Sequence, residues 1–315
     1  MGCFSIKKYT FYYNANDVGS WYRAIEVKTT LLNGSTKITD AWGWSPAFHI
    51  IQNVNVDLLS FFPRTRDEIV LKGDDDSIPW DESNLIHRAA SLVKERCAVQ
   101  SGVEIQVKKD IPGGKGLGGG SSNAAMTLLA LNKMWGLHFG KDDLKKLGGE
   151  LGADVPFFFE GGLCLGKGKG DILYPQEDLK PFCCVLVLPS VSVSTAAVYR
   201  SFRASLTSQD KDSKIIRFLE SHNLGGLQND LEETVFRTYP QIKAIKNLIQ
   251  EQGSELTLMS GSGSAVFSLF RQKEKADEAI VALKALSNEH TVLLTTGLSR
   301  TEYQKRLGIL IHSGV

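Results

Sequence analysis

The residues best suited to chemistry are the glycines of a short run at 113–120, where six of eight positions are glycine. An alternating strand pattern at 103–109 precedes the run, and a helical pattern follows it, with Ser121 or Ser122 expected as the helix cap. Glycine lets a backbone approach an anion closely, so successive amides can converge on phosphate oxygens beside a positive helix N-terminus. The segment 112–122 therefore predicts a phosphate-binding loop.

Other glycine-rich loops are disfavoured by their context. The run satisfies GxGxxG, but a dinucleotide site needs an acidic residue after a second strand about 20 residues on. That region here has a helical pattern around Asp142 and Asp143. A Walker A loop is also absent, because the segment beginning at Gly161 ends in Gly168 where Ser or Thr is required. A flexible turn is the remaining alternative, disfavoured by the adjoining helix start.

Composition narrows the function classes. The 315 residues carry 36 Lys and Arg against 35 Asp and Glu, so net charge gives no general reason to expect binding to nucleic acid or membrane. The longest apolar run, 182–189, is far shorter than the roughly 18–20 residues of a membrane span. Five cysteines without a CxxC pair predict reduced thiols in a reducing compartment. The histidines lack metal-ligand spacing, so no metal ligands are predicted.

Hydrophobic periodicity predicts the elements that must position this loop. The expected elements on the N-terminal side are extended chain at 50–62, a helix at 84–97, a strand at 103–109, a helix after the glycines with Leu128, Leu131 and Trp135 on one face, and a helix carrying Leu144, Leu147 and Leu151. A domain boundary is expected within 160–180. Beyond it, strands at 182–188, 256–259, 266–270 and 291–296 alternate with helices from Pro240 and at 274–287. This order is compatible with a split βαβ, ferredoxin-like half.

Six segments together resemble the GHMP kinases, in the expected order from about residue 48 to 300. They are NLIHRAA (84–90), IPGGKGLGGGSSNAA (111–125), LGADVPFFF (151–159), GKGKGDIL (166–173), NDLEETVF (229–236) and LMSGSGSAVF (258–267). The resemblance implies a two-lobed α+β fold, with an N-terminal lobe like ribosomal protein S5 domain 2 and a ferredoxin-like C-terminal lobe. It divides the chain into an unmatched segment (1–47), an ATP-binding domain (48–175) and a C-terminal domain (176–315).

The resemblance also implies an activity. It is transfer of the γ-phosphate of ATP, with Mg²⁺, to the 2-hydroxyl of a cytidyl-methylerythritol substrate in isoprenoid precursor biosynthesis. The expected partner is thus a small molecule rather than nucleic acid or a membrane, and the expected assembly is a monomer or homodimer. The expected compartment is the cytoplasm, or the plastid stroma in a plant or alga.

The implied ATP-binding residues are Pro112, Gly113, Gly114, Lys115, Gly116, Leu117, Gly118, Gly119, Gly120, Ser121 and Ser122. Lys115 replaces the small residue usual in the family, and its ammonium could either pair with phosphate or crowd the loop. Asp154 matches the catalytic aspartate, whose carboxylate can accept the proton of an attacking hydroxyl. The alternative is that Asp154 caps a helix or turn before Pro156.

Two further matches imply substrate contacts. The loop containing Gly261, Ser262 and Gly263 matches the third family motif and should pack against the nucleotide loop, although it could be only a tight turn. His49 follows Phe48 where the family has an aromatic–His pair that contacts the cytidine end of the substrate.

The match breaks just before His49. The family begins with a segment AKINL, whose lysine pairs with the catalytic aspartate, followed by a glycine-rich hairpin; about twenty of these residues are missing here. Lys37, in TKITD, is only a weak look-alike of that lysine. A cation beside Asp154 would keep it ionised. The alternative function is therefore a nucleotide-binding protein with impaired catalysis, or a GHMP kinase for another small alcohol.

Overall fold

The computed structural model describes residues 57–202, 227–286 and 289–304, three single residues (Phe218, Ser221 and Leu224), and the backbone of several strands within residues 10–56. In this part of the chain, helices and strands form two lobes, and a separate β-hairpin pairs with a strand from the N-terminal segment. The unmatched segment 1–47 lies mostly outside the described residues.

The N-terminal lobe is a five-stranded sheet covered by helices. Its strands are β1 (Thr10–Tyr13), β2 (Trp21–Thr30), β5 (Val56–Arg64), β6 (Ile69–Gly73) and β7 (Gly102–Lys108), in the order β1-β2-β5-β7-β6. The β6–β7 pair is parallel, and the other pairs are antiparallel. Of the extended chain predicted for 50–62, residues 51–55 lie outside the described part and the rest falls in β5 and the end of β4 (Pro46–Ile50).

The lobe has three longer helices, α1 (Leu85–Cys97), α2 (Gly119–Met134) and α3 (Lys141–Leu151). The first two pack on the sheet, and α3 packs on α1 and α2. Asn84 caps α1, because its side chain accepts the amide of Ile86 at 3.0 Å. The α2 helix is central, since every residue from 122 to 131 is buried, and it contacts both α1 and α3. The amphipathic spacing predicted for α2 is therefore only part of a helix that is apolar on nearly all sides.

The C-terminal lobe is an antiparallel four-stranded sheet with helices on it. Its strands are β10 (Cys183–Leu188), β11 (Leu256–Met259), β12 (Val266–Phe270) and β13 (Thr291–Thr296). Their order, β11-β12-β10-β13, is that of a ferredoxin-like sheet. The described helices are α5 (Thr195–Ser201), α6 (Glu232–Thr238), α7 (Pro240–Glu251) and α8 (Lys273–Leu286). Cys183 and Cys184 lie in β10 and pack against different core clusters, as expected for neighbours in a strand.

Several elements were not predicted. They include β6, the short helix α4 (Phe157–Glu160), the hairpin of β8 (Cys164–Lys167) and β9 (Ile172–Pro175), α5 and α6. The hairpin extends a sheet in the order β4-β3-β8-β9, in which β3 (Asn33–Ile38) runs parallel to β8. After β13 the chain returns to the N-terminal lobe, where Leu298 and Tyr303 join its core.

Candidate active site

The glycine-rich segment forms a tight turn leading directly into α2. Gly114, Gly116 and Gly118 have φ values of +67°, +71° and +68°, a region that favours glycine. The expectation that Ser121 or Ser122 caps the helix is wrong. Gly118 is the N-cap, and the amide of Ser122 already donates to the Gly118 carbonyl at 2.9 Å. The left-handed turn at Gly118 starts the helix earlier, so both serines lie in its first turn.

A buried carboxylate fixes both ends of this loop. Asp57, on β5, is fully buried, and its Oδ1 accepts the amides of Asp110 and Ile111 at 2.9 and 2.8 Å, just before the loop. Its Oδ2 accepts Asn123 Nδ2 at 2.8 Å, just after the loop, and also pairs with Lys109 Nζ. A pre-formed loop does not have to be ordered when an anion binds, which lowers the cost of binding.

One side of the loop is open and the other is closely packed. A Cβ built on Gly113, Gly114 or Gly120 would come no closer than 3.6 Å to another residue. A Cβ on Gly116 would lie 2.1 Å from the Ser260 carbonyl oxygen, which no side chain could tolerate. The open side can therefore admit a ligand, while the Gly116 side is occupied by the C-terminal lobe.

The loop 260–264 is the part of the C-terminal lobe that occupies this side. Ser260 Oγ donates to the Gly116 carbonyl at 2.9 Å, and the amide of Ala265 donates to the Lys115 carbonyl at 3.1 Å. The turn is also closed internally, because the amide of Gly263 donates to the Ser260 carbonyl at 2.8 Å. The loop is thus both a tight turn and a close packing partner of the glycine-rich loop.

Lys115 holds the two lobes together at this point. Its Nζ donates to the carbonyls of Pro189 and Val191 at 2.7 and 2.6 Å, and only 8% of the residue is exposed. Burial lowers the pKa of this lysine. The ammonium is therefore held by main-chain carbonyls of the C-terminal lobe.

Asp154 is exposed and lies on the turn between α3 and α4. The turn leads into α4, which has Pro156 at its N-cap position. Phe158, on α4, packs against Gly118, where a built Cβ would lie 2.9 Å from its ring. Burial, and then the negative charge of Asp154, raise the pKa of the Tyr199 hydroxyl well above its usual value.

The helix α5, which carries Tyr199, is tied to both loops. Just before it, the amide of Val193 donates to the Gly114 carbonyl at 3.3 Å. Its first residue, Thr195, shares a hydrogen bond of 2.8 Å with Ser262, in loop 260–264. The structure thus gathers the glycine-rich loop, loop 260–264 and α5 into one site.

The two remaining sequence candidates are only partly described. His49 lies in β4, where its backbone pairs with Gly34, and Lys37 pairs with Cys164 across β3 and β8. The side chains of both residues lie outside the described part of the chain. Conversely, Asp57, Thr195 and Tyr199 were not identified from sequence, because no local pattern marks their contacts with residues far along the chain.

Two family models match the chain in these lobes. "GHMP kinases N terminal domain" matches residues 84–162, and "GHMP kinases C terminal" matches residues 208–288. The chain belongs to the GHMP kinase family, whose members use ATP as the phosphate donor. It has the two-lobed fold of that family, and the family is one of phosphotransferases.

Its relatives narrow this class further. A 4-diphosphocytidyl-2-C-methyl-D-erythritol kinase of Syntrophus aciditrophicus is 41% identical over 236 residues, which cover 74% of this chain and 84% of the relative. The enzyme of the same name from Prosthecochloris aestuarii is 40% identical, over 73% and 82%. A crystal structure of 4-(cytidine 5'-diphospho)-2C-methyl-D-erythritol kinase is 30% identical, with a TM-score of 0.59 over 88% of this chain and all of that chain.

More distant structures share the fold alone. The homoserine kinase of Cytophaga hutchinsonii has a TM-score of 0.67 at 17% identity, covering 91% of this chain and 97% of its own. Within the described residues, no helix has the length and apolar character needed to cross a membrane.

Proposed function

We propose that this chain transfers the γ-phosphate of ATP to the 2-hydroxyl of 4-diphosphocytidyl-2-C-methyl-D-erythritol, a step in isoprenoid precursor biosynthesis. The observation that carries the proposal is the similarity, at 36–41% identity over most of the chain, to relatives of that name. The glycine-rich loop, open on one side and rigidly held on the other, supports it physically. The domains proposed for this activity are residues 48–175 for ATP binding and 176–315 for the C-terminal part.

The residues around the loop fit a polyphosphate. Helix N-termini leave several amides without intrahelical partners, and those of α2 follow directly on the glycines. Ser122 Oγ is buried and has no hydrogen-bond partner in the described structure, so a donor is available at this helix start. Ile78 and Leu85 flank the open glycines Gly113 and Gly120 and would offer an apolar surface to the base of the nucleotide.

Mg²⁺ is proposed as the companion of ATP. Among the described residues, no group of three or more His, Cys, Asp or Glu side chains could hold a metal ion. Mg²⁺ commonly binds through one or two carboxylates together with substrate phosphates and waters, so a ready-made protein cage is not required. Bound there, the ion would offset negative charge on the phosphates.

Asp154 is the proposed general base. Its exposed carboxylate would accept the proton of the substrate hydroxyl as that oxygen attacks phosphorus. Gly261, Ser262 and Gly263, together with His49, are proposed to contact the substrate. Thr195, which is hydrogen-bonded to Ser262, would help to hold the middle of that loop in place.

The test combines turnover with binding. The purified chain, incubated with MgATP and the cytidyl substrate, should release ADP, and Asp154→Asn should abolish release while leaving ATP affinity nearly intact by calorimetry. Asp143→Asn, an equally conservative change at an exposed position of α3, is the control and should retain full activity. Turnover of only homoserine or mevalonate would contradict the substrate, and surviving activity in Asp154→Asn would contradict the base.

The departure before His49 motivates a second candidate, a nucleotide-binding protein without turnover. The same measurements separate the two. ATP binding by the wild-type chain with no ADP release, at any concentration of the cytidyl substrate, would favour this second candidate.

A further inference from the structure

A buried asparagine lies directly beneath the loop 260–264. Only 3% of Asn229 is exposed, and its Nδ2 donates to the carbonyls of Met259 and Gly261 at 2.8 and 2.7 Å. Its Oδ1 accepts the amide of Leu231 at 2.9 Å. These three hydrogen bonds of the Asn229 side chain are all made with main-chain atoms. Two of the three partners lie on either side of Ser260, where β11 becomes the loop.

A second side chain holds the same stretch of main chain. Glu232 Oε1 accepts the amide of Met259 at 2.8 Å, while its Oε2 accepts Lys246 Nζ at 2.6 Å. The amide of Glu232 in turn donates to the Asn229 carbonyl at 3.0 Å. Both main-chain polar groups of Met259 are therefore fixed by side chains from the segment 229–232.

This fixed stretch is the one that contacts the glycine-rich loop. Ser260 lies between the two carbonyls held by Asn229, and its hydroxyl donates to the Gly116 carbonyl at 2.9 Å. The Ser260 carbonyl is also the atom that leaves room only for glycine at 116. A shift of Ser260 by a fraction of an ångström would therefore move Gly116 or break its hydrogen bond.

We infer that Asn229 is a positioning residue for nucleotide binding: it sets the place of Ser260, and through Ser260 the shape of the glycine-rich loop. The inference rests on the proposed function, because it takes that loop to be where ATP binds. Asn229 lies beneath loop 260–264 and acts on the glycine-rich loop through Ser260, so its effect on a nucleotide would be indirect. Its removal should weaken ATP binding beyond what any loss of stability explains.

The test measures ATP affinity by calorimetry, which needs no second substrate and no turnover. Asn229→Ala removes both donors to the loop, and Ser260→Ala removes the contact with Gly116. Each should weaken ATP binding, Asn229→Ala by about tenfold, the equivalent of one or two net hydrogen bonds. Because both act through one contact, the double variant should lose less affinity than the product of the single losses.

Thr257→Val is the matched control. Thr257 is buried two residues before Met259 in β11, and its hydroxyl bonds to Ser254 and Ser268 rather than to the loop. It should lower the melting temperature and leave ATP affinity unchanged. Ser260→Ala keeps the inference testable if Asn229→Ala does not fold, since an unaltered affinity in Ser260→Ala overturns it.

Other results of the same ATP titrations would overturn either the positioning role or the proposed function. A folded Asn229→Ala with wild-type affinity, or independent effects of Asn229→Ala and Ser260→Ala, would overturn the positioning role. If the wild-type chain itself binds no ATP, the proposed function fails instead, which is a different result from a wild type that binds and variants that bind equally well.

Discussion

Alanine at Gly116, compared with alanine at Gly114, should separate the free-energy cost of the backbone conformation from the cost of the contact between the lobes. Gly114 and Gly116 have nearly the same φ, +67° and +71°, so alanine at either position adopts a left-handed conformation costing about 1–2 kcal/mol. Their surroundings differ. The new methyl group would lie 3.6 Å from Ser192 Cβ at position 114, but 2.1 Å from the Ser260 carbonyl oxygen at position 116.

The second cost follows from these distances. An oxygen 2.1 Å from a methyl carbon must move by about 1 Å to reach normal contact, because packed interiors do not tolerate such overlap. That movement breaks the Ser260–Gly116 hydrogen bond and strains the one between Ala265 and Lys115, each worth about 1 kcal/mol. Gly116→Ala should therefore destabilise the protein by about 3–4 kcal/mol in total, and Gly114→Ala by about 1–2 kcal/mol.

Urea denaturation of the two variants and the wild type measures this difference. The midpoint should fall further for Gly116→Ala than for Gly114→Ala, with similar slopes, because the unfolded surface is the same. Equal midpoints for the two variants would refute the reasoning, since they would show that the methyl group at 116 meets no obstacle in the C-terminal lobe.

Two other changes have outcomes that the structure fixes. Asp57→Asn leaves Lys109, whose side chain is 7% exposed, without its buried counter-ion. It should cost about 3–5 kcal/mol in urea denaturation, against under about 1 kcal/mol for Glu150→Gln in the exposed pair with Arg96, and equal losses would contradict it. Burial raises the pKa of Glu232 above its ordinary 4.5, so the native state binds this proton more tightly and stability should fall as pH rises from 4.5 through the raised pKa. Glu232→Gln should lack this fall, and parallel stability–pH curves for the two proteins would disprove it.

The regular elements were predictable where periodicity is strong. The strands at 183–188, 256–259 and 266–270 and the helix at 240–251 were expected within a residue or two. The strands are apolar runs buried on both faces of the sheet, and the helix buries one apolar face. The β8–β9 hairpin was missed because each strand has only four residues and β8 lacks the β-branched and aromatic residues typical of strands.

Local patterns failed where a distant contact decides the structure. The N-cap of α2 falls at Gly118 rather than at a serine, because a left-handed glycine lets the chain enter the helix earlier. The direction of the Lys115 side chain depends on carbonyls 74 and 76 residues away. Asp57 carries no motif, since its backbone donors lie 53 and 54 residues further along the chain. The glycine-rich loop could therefore be recognised from sequence, but not the groups that hold it.

The direction of the loop's amides is set by the C-terminal lobe. Three consecutive carbonyls, of Gly114, Lys115 and Gly116, accept hydrogen bonds from Val193, Ala265 and Ser260, respectively. Because the N–H of a trans peptide points opposite to its C=O, each bond directs the following amide away from the C-terminal donor. The amides of residues 115–117 are thereby turned away from that lobe. The C-terminal lobe would therefore contribute to the proposed phosphate binding through the orientation of these peptides, even where none of its side chains reaches a phosphate.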